Sequence, residues 1–416
     1  MLNRRQFAGA LAGSCSLPLF ANSTQERKKI AFLGTTVFKH SHSQHFLDRF
    51  SIGYTMGGRW LEPPLEVASV YIDQFNENDI GKQRIAKYGL KEFPSVAEAL
   101  TLGGSKLAVD GVVIIGEHGN YPKNEKQQTV YPRYKWFKEI TKVFEESGRS
   151  VPVFNDKHLS TSWDECLEMV ADSKRLDFAF YAGSSLPVTW RLPSIDMPYG
   201  VPLKESVCVA YGGVDSYDFH ALETAQCMSE RRAGGEVGIR SVHAATKEKL
   251  WNMLADRETT KQLFLSALCR SHHLPVDTGY PTQRVSFEWA RQALPDTTGY
   301  FIEHLDGFRT AIFMTGIHDF NYAGMRADNG EIIGCQMMLP MPGSSATTAD
   351  FFNPLSSHVE QMILKGITAY PIERTLLTSG MVIAAVDSLH AGETRVETPT
   401  MGIKYQGPRE SMFWQV

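Results

Sequence analysis

The stretch Val151-Pro-Val-Phe-Asn-Asp-Lys-His-Leu-Ser160 decides how the chain is organised. Its apolar beginning predicts a short buried strand, and the polar residues that follow predict a turn into a helix. Lys157, between an acid and a histidine, would then stand at the carboxyl end of a strand, where open α/β sheets hold ligands. An ammonium group there binds a ligand oxygen or moves a proton. A strand-to-helix turn with a solvated charge explains these residues equally well.

Composition indicates a folded protein with two domains. A chain of 416 residues exceeds one ordinary core. Its 43% hydrophobic and 21% charged residues are typical of globular proteins. The formal net charge of −4 provides no basic surface, so nucleic acid is not an expected partner. After the amino terminus no apolar run reaches the length of a membrane span, so no membrane-spanning helix is expected.

Residues 1–23 are typical of an export signal rather than of the fold. Arg4-Arg5-Gln6-Phe7 is followed by a mostly apolar run, and Ala21 and Ser23 are small residues that suit a cleavage site. The paired arginines predict a twin-arginine signal, with the twin-arginine export machinery as a partner and the periplasm as the destination. An ordinary secretion signal with chance arginines is the alternative.

No metal site is predicted from the cysteines or histidines. The cysteines beyond the signal are far apart and form no CxxC pair, which argues against a disulfide framework or a thiolate site. His40, His42 and His45 share one polar loop without a partner carboxylate nearby. They are therefore interpreted as solvated or substrate-facing histidines.

Strands alternate with helices up to about residue 183. Lys29–Gly34, Glu66–Asp73 and Val109–Gly116 are compact apolar runs, separated by helical patterns and by an irregular insertion over residues 51–65. Continuous apolar strands of this kind are buried on both faces of a parallel sheet. Residues 28–183 are thus predicted to form a Rossmann-like, doubly wound nucleotide-binding domain.

The nucleotide-binding signals of this half are incomplete. Of the pattern GxGxxG after the first strand only Gly34 is present, because Thr36 and Lys39 occupy the other two glycine positions. Asp73 ends the second strand, where such folds place an acid on the ribose. The predicted dinucleotide contacts of these two strand ends are Gly34, Thr35, Thr36 and Asp73, and a second polar cluster with Glu117, His118 and Asn120 follows the strand that ends at Gly116.

Residues 184–416 are predicted to form an α+β domain that binds substrate and mediates oligomerisation. Its pattern is mainly strands, among them Arg284–Glu288, with helices at Lys247–Leu254 and at the carboxyl end of the chain. Alternating apolar positions predict an open, predominantly antiparallel sheet flanked by helices. One uncovered face of such a sheet favours a homo-oligomer.

A helix predicted over Val214–Arg232 carries the second candidate cluster. Asp215, Asp218, His220 and Glu223 lie in its first turns, and His220 shares a face with Glu223. A histidine near carboxylates is a competent general base. Acids that stabilise the helix dipole beside a structural histidine are an equally good interpretation.

These features together resemble the glucose–fructose oxidoreductase/inositol dehydrogenase family over about residues 28–400. The family's Glu-Lys-Pro turn stands here as Asp156-Lys157-His158. Its helix motif, DxGxH with an acid three residues later, corresponds to Ser216-Tyr-Asp-Phe-His220 with Glu223, and Ser216 replaces the leading aspartate. Exported family members carry twin-arginine signals, in agreement with the amino terminus.

The resemblance implies hydride transfer between a sugar, cyclitol or glycoside and NAD or NADP. Lys157 would polarise the substrate oxygen, and His220, with Asp218, would act as acid or base. Asp215 and Glu223 would contact the substrate. Glu117, His118 and Asn120 would lie near the nicotinamide.

Three functions remain open from the sequence. An NAD(P)-dependent oxidoreductase acting on a carbohydrate is the main prediction. A hydrolase, lyase or isomerase on the same scaffold, with a retained NAD or a metal, is the first alternative. A sugar-binding protein without catalysis is the second.

Overall fold

A computed structural model describes residues 26–276, 279–339 and 348–413. The predicted export signal, residues 1–23, lies outside this range, so export stays a prediction. Within the described ranges, no helix combines the length and the apolar character that crossing a membrane requires.

Apolar runs of the first half form strands buried on both faces, as their continuous hydrophobicity predicts. All the described strands of this half are β1 (Lys28–Gly34), β2 (Tyr54–Met56), β3 (Arg59–Leu61), β4 (Leu65–Ile72), β5 (Gly111–Ile115), β6 (Val153–Asp156) and β7 (Phe180–Gly183). The helices are α1 (His42–Ile52), α2 (Gly81–Tyr88), α3 (Val96–Thr101), α4 (Arg133–Ser147) and α5 (Trp163–Arg175). The predicted Rossmann-like domain is confirmed, and its insertion contains the β2–β3 hairpin.

The parallel sheet has the order β4-β1-β5-β6-β7. Strand β1 is flanked by β4 on one side and β5 on the other, so the direction of winding reverses between β1 and β5. Ligands of open α/β sheets bind at the carboxyl ends of the strands beside such a reversal. The loops that leave β1, β5 and β6 meet at this edge.

The second sheet contains β8 (Arg191–Leu192), β9 (Leu203–Tyr211), β10 (Ile239–Thr246), β11 (Thr298–His304), β12 (Arg309–Thr315), β13 (Phe320–Arg326), β14 (Ile332–Met337) and β15 (Val396–Glu397). Its helices are α6 (Asp218–Ser229), α7 (Lys247–Ala255), α8 (Glu258–Leu268), α9 (Phe287–Ala293), α10 (Phe352–Lys365) and α11 (Ile372–His390). The order is β15-β10-β11-β12-β9-β13-β14-β8, and β9 pairs in parallel with β12 while the other described pairs are antiparallel. The predicted α+β architecture is confirmed.

Helices pack on both faces of this sheet. Cys208 and Ala210 of β9 face the core beneath α6 and α11, whereas Val207 and Val209 face the core beneath α7, α8 and α9. The face that the strand alternation predicted to be uncovered is therefore packed in this region. Because this face is covered, it no longer favours a homo-oligomer. The homo-oligomer stays a prediction.

Two sequence predictions in this half fail for local reasons. The strand predicted at Arg284–Glu288 is wrong, because Ser286 caps helix α9 by accepting a hydrogen bond from the amide of Trp289 at 3.2 Å. The helix predicted from Val214 begins only at Asp218, because Asp215 has a left-handed φ of 55°.

The carboxyl-terminal helices return to the first sheet. Phe352 and Leu355 of α10 share a core with Phe32 of β1. Helix α11 contributes Leu376 to the core of the parallel sheet and Leu377 to that of the second sheet. The predicted division at residues 183 and 184 follows the two sheets, while these helices join both.

Candidate active site

A cavity of about 310 Å³ lies between the carboxyl edge of the parallel sheet and the start of α6. This is large enough for a small organic ligand. Polar side chains make up most of its lining: His40, His42, His45, Glu117, His118, Arg133, Lys157, His158, Ser185, Asp215, Ser216 and His220. Aromatic rings and one aliphatic side chain complete it: Tyr131, Tyr217, Leu339, Phe351 and Phe352.

Lys157 is the centre of the polar side. Its Nζ lies 2.6 Å from Nε2 of His220, 3.3 Å from Nε2 of His42 and 3.4 Å from Oε2 of Glu117. The backbone amide of Lys157 donates to the carbonyl of Gly183 at 2.9 Å, which fixes the turn to the neighbouring strand β7. The structure thus brings together Lys157, His220, Glu117 and His118 of the predicted site.

Four residues of the cavity have a positive φ, a left-handed backbone conformation that residues other than glycine rarely adopt. The φ angles are 71° at His40, 65° at His118, 73° at Lys157 and 55° at Asp215. Each costs conformational energy that the surrounding packing must offset. Lys157 is only 7% exposed, which distinguishes this turn from a strand-to-helix connection with a solvated charge.

His220 is a neutral imidazole in this environment. Burial and the ammonium of Lys157 hold its pKa well below the usual value. Because Nε2 accepts a hydrogen bond from Lys157, the proton of the neutral ring is assigned to Nδ1. That Nδ1 is buried and has no hydrogen-bond partner among the described residues. Buried polar groups are normally paired, so His220 is suited to a ligand.

Asp215 also lies in the cavity, as predicted for substrate contact. Its Oδ1 accepts a hydrogen bond from Nε2 of Gln128 at 3.0 Å and lies 4.0 Å from Nε2 of His158. Burial raises the pKa of Asp215. Arg133 donates to the carbonyls of Gly116 and His158, at 2.8 and 2.6 Å, and so ties two of the loops together.

Asp218, a predicted catalytic residue, points away from the cavity. Its carboxylate accepts hydrogen bonds from the amides of Asp215, Ser216 and Phe219 at 2.8 to 3.0 Å. The hydroxyl of Tyr300 donates to it at 2.9 Å. Burial raises its pKa to about 6. These contacts give Asp218 the role of holding the first turn of α6.

Glu223, predicted to contact substrate, is also buried outside the cavity lining. Its Oε1 accepts from the hydroxyl of Thr378 on α11 at 2.8 Å, and its Oε2 lies 3.5 Å from the amide of Ser184. Glu223 shares a helix face with His220 in sequence, but in the fold its carboxylate is fully buried and binds Thr378 of α11. Its contacts join two helices and a strand end.

Known structures share this fold. No protein-family model matches the chain, and no curated protein matches it. GenD2 from gentamicin A biosynthesis, solved with NAD, has a TM-score of 0.55 and 11% identity over 90% of this chain and 97% of its own. A probable dehydrogenase from Thermotoga maritima gives 0.53 and 11%, over 89% and 98%. The myo-inositol dehydrogenase from Lactobacillus casei, solved with NAD(H) and myo-inositol, gives 0.51 and 10%, over 90% and 98%.

Whether this chain holds a dinucleotide depends on the crevice between β1 and β5. The side chain of Thr35 bridges this crevice, because its hydroxyl donates to the carbonyl of Glu117 and accepts from the amide of Glu117 at 3.2 Å. Thr35 and Thr36 are fully buried. The ring of Phe38 lies edge-on to that of His118, with centroids 5.0 Å apart.

The loop after β5 is also bonded to the end of β4. The side chain of Gln74 accepts from the amide of Asn120 at 2.8 Å and donates to its carbonyl at 3.1 Å. Asp73, the predicted ribose ligand, accepts from the hydroxyls of Tyr71 and Tyr121, both at 2.6 Å. Two predicted cofactor contacts, Asp73 and Asn120, are thus already hydrogen-bonded to neighbouring side chains.

The first turn of α1 offers little to a phosphate. The hydroxyl of Ser41 accepts from the amide of Gln44 at 3.1 Å and so caps the helix. A Cβ at Gly34 would lie 3.3 Å from Oγ of Ser43, so the helix already fills the space beside this glycine. The residues of the crevice, with these contacts in place, do not fit a dinucleotide.

Sequence reasoning missed two features of the site. His42 was interpreted as lacking a carboxylate partner, but the fold brings Asp156 to 2.7 Å and Glu117 to 3.3 Å from its Nδ1. That interpretation was wrong because both acids arrive from other strand ends, 114 and 75 positions away in sequence. The wall of Phe351 and Phe352 was also missed, since nothing in its helical pattern marks it as ligand-facing.

Proposed function

We propose that this protein is an enzyme that transfers a proton on a small sugar or cyclitol bearing a carbonyl group, with Lys157 and His220 as the reacting pair. The observation that carries the proposal is the 2.6 Å contact between Lys157 Nζ and His220 Nε2 inside the cavity. The pair combines a cation that stabilises negative oxygen with a neutral imidazole that accepts a proton.

In the proposed reaction Lys157 binds the substrate oxygen and His220 accepts the proton. A carbonyl oxygen of the substrate replaces His220 as the acceptor for the Lys157 ammonium. Nε2 of His220, now free, takes a proton from the carbon next to the carbonyl, and the negative charge of the enolate rests on the oxygen beside Lys157. When the carbon next to the carbonyl bears a hydroxyl, His220 returns the proton to the former carbonyl carbon while the hydroxyl proton passes to the enolate oxygen, and the substrate is isomerised. When a β-substituent leaves instead and takes the proton from His220, the reaction is an elimination.

The shape of the cavity supports a polyhydroxylated substrate. Asp215, Glu117 and His158 line the cavity with hydrogen-bonding groups, and Phe352 and Tyr217 add aromatic rings to the lining. Sugars and cyclitols present hydroxyls around their rim and C–H groups on their faces, which suits a lining of this mixed composition.

Hydride transfer to NAD or NADP is the second candidate. It is favoured by fold neighbours solved as NAD complexes. It is disfavoured by the bonds from Thr35 to Glu117 and from Gln74 to Asn120, which a dinucleotide would have to displace.

Export by the twin-arginine machinery to the periplasm is proposed on Arg4-Arg5-Gln6-Phe7 and the apolar run after it. A protein exported by this route folds in the cytoplasm and works outside it. Turnover without a soluble dinucleotide pool suits such a location.

The test is a panel of keto-sugars and keto-cyclitols incubated with the purified protein in D2O and followed by NMR. We expect deuterium at the carbon next to the carbonyl, or a rearranged product, with no dinucleotide added. Turnover seen only after NAD or NADP is added, with reduced nicotinamide as product, would replace this proposal by hydride transfer.

A further inference from the structure

We propose that His42, Glu117 and Asp156 form a binding site for one divalent transition-metal ion at the edge of the cavity. His42 contributes Nδ1, and Glu117 and Asp156 contribute carboxylate oxygens. The site adjoins the Lys157–His220 pair but uses different residues, so it does not depend on the proposed reaction.

The three donor groups converge from three different strand ends. His42 follows β1 at the start of α1, Glu117 follows β5, and Asp156 ends β6. Their donor atoms all lie within 4.8 Å of one another. Nδ1 of His42 is 2.7 Å from Oδ2 of Asp156 and 3.3 Å from Oε2 of Glu117. Ligands at about 2.0–2.2 Å from a metal are separated by about 3 Å, so small shifts would complete coordination.

An unpartnered buried oxygen points independently to a ligand. Asp156 is 0% exposed, and its Oδ1 has no hydrogen-bond partner among the described residues. Oε2 of Glu117 is also buried without an aligned hydrogen bond. A buried carboxylate is costly unless its oxygens are paired or bind a metal. A cation between these two acids would satisfy both.

Two cations already act on the two carboxylates. Arg133 interacts electrostatically with both Glu117 and Asp156, and the ammonium of Lys157 lies 3.4 Å from Oε2 of Glu117. Its positive charge opposes a metal on the same oxygen. We therefore expect Lys157→Met to bind the metal at least as tightly as the unaltered protein does.

The donor set selects the class of metal. One imidazole nitrogen with carboxylate oxygens suits zinc, manganese or ferrous iron better than magnesium or calcium, which prefer oxygen alone. His42 and Glu117 line the cavity. Coordination positions on that side stay open to water or to hydroxyls of a ligand, as in catalytic metal sites.

Titration of the chelator-treated protein with Zn²⁺ and with Mn²⁺ tests the site, by calorimetry and, for Mn²⁺, by electron paramagnetic resonance. We expect one ion per chain. We expect His42→Gln and Asp156→Asn to weaken binding at least about tenfold. His40→Asn is the matched control, because asparagine tolerates the left-handed φ of 71° and His40 is outside the donor set.

Several outcomes would overturn the site. They are the absence of saturable binding to the unaltered protein, equal affinity in His42→Gln and Asp156→Asn, and an equal loss in His40→Asn. If the two variants fail to fold by circular dichroism, nitrogen hyperfine coupling of Mn²⁺ bound to the unaltered protein decides. Its absence contradicts coordination by His42.

Discussion

The ammonium nitrogen of Lys157 lies 2.6 Å from Nε2 of His220, although 63 residues separate them. Lys157 follows strand β6 at the carboxyl edge of the first sheet, and His220 lies in the first turn of α6, which packs on the second sheet. Their contact is therefore a product of how the two sheets meet. It places an ammonium group beside a neutral imidazole, which is the pair that the proposed reaction uses.

His220→Asn should reduce turnover at least about 100-fold, because general-base catalysis contributes roughly that much or more. The steady-state rate with the substrate found in the D2O panel measures the change. His318→Asn is the control, since His318 is an exposed histidine outside the cavity lining. Equal activity of both variants would remove His220 from the reaction.

The purified protein should neither contain nor bind a nicotinamide dinucleotide. The loops after β1, β4 and β5 are bonded to one another across the crevice, through Thr35, Gln74 and Asn120 among others. Mass spectrometry of the denatured protein and calorimetric titration with NAD and NADP check this. Stoichiometric dinucleotide in either measurement would mean that the crevice opens and would favour hydride transfer.

Asp218→Ala should lower stability while sparing the reaction per folded molecule. The carboxylate accepts from three amides at the start of α6, and each buried donor left without a partner costs about 1–3 kcal/mol. Urea unfolding measures the loss, and turnover corrected for folded protein separates the two effects. A corrected rate as low as that of His220→Asn would return Asp218 to the catalytic group.

Glu360 should make stability fall as pH rises from about 4.5 to 7. Burial raises its pKa from the usual value of 4.5 to about 7, so in this interval the folded state retains a proton that the unfolded state releases. The unfolded state binds fewer protons, and unfolding becomes easier by up to about 3 kcal/mol over the interval.

Glu360→Gln keeps an acceptor for the hydroxyl of Tyr54, which donates to Oε2 of Glu360 at 2.8 Å. We expect this variant to be more stable at pH 8 than the unaltered protein and to show a flatter pH profile in urea unfolding. An unchanged profile would show that the Glu360 carboxyl is ionised well below pH 7 in the folded protein.

The sequence was most informative where local chemistry decides structure. Buried apolar runs such as Val109–Gly116 predicted the parallel sheet, and polar residues after each run predicted where Lys157 and Glu117 would lie. It was least informative where partners come from distant segments. His42 meets Asp156 only through the fold, and Asp218 and Glu223 have side-chain partners, Tyr300 and Thr378, that helix periodicity does not reveal.

Deuterium incorporation by Lys157→Met tests the central claim most directly. With the substrate in D2O and no dinucleotide, the unaltered protein and Lys126→Met, whose lysine pairs with Asp387 outside the cavity, should exchange the proton next to the carbonyl at similar rates. Lys157→Met should lose this exchange by at least about 100-fold while remaining folded. Exchange at the unaltered rate in Lys157→Met would contradict proton transfer by the Lys157–His220 pair.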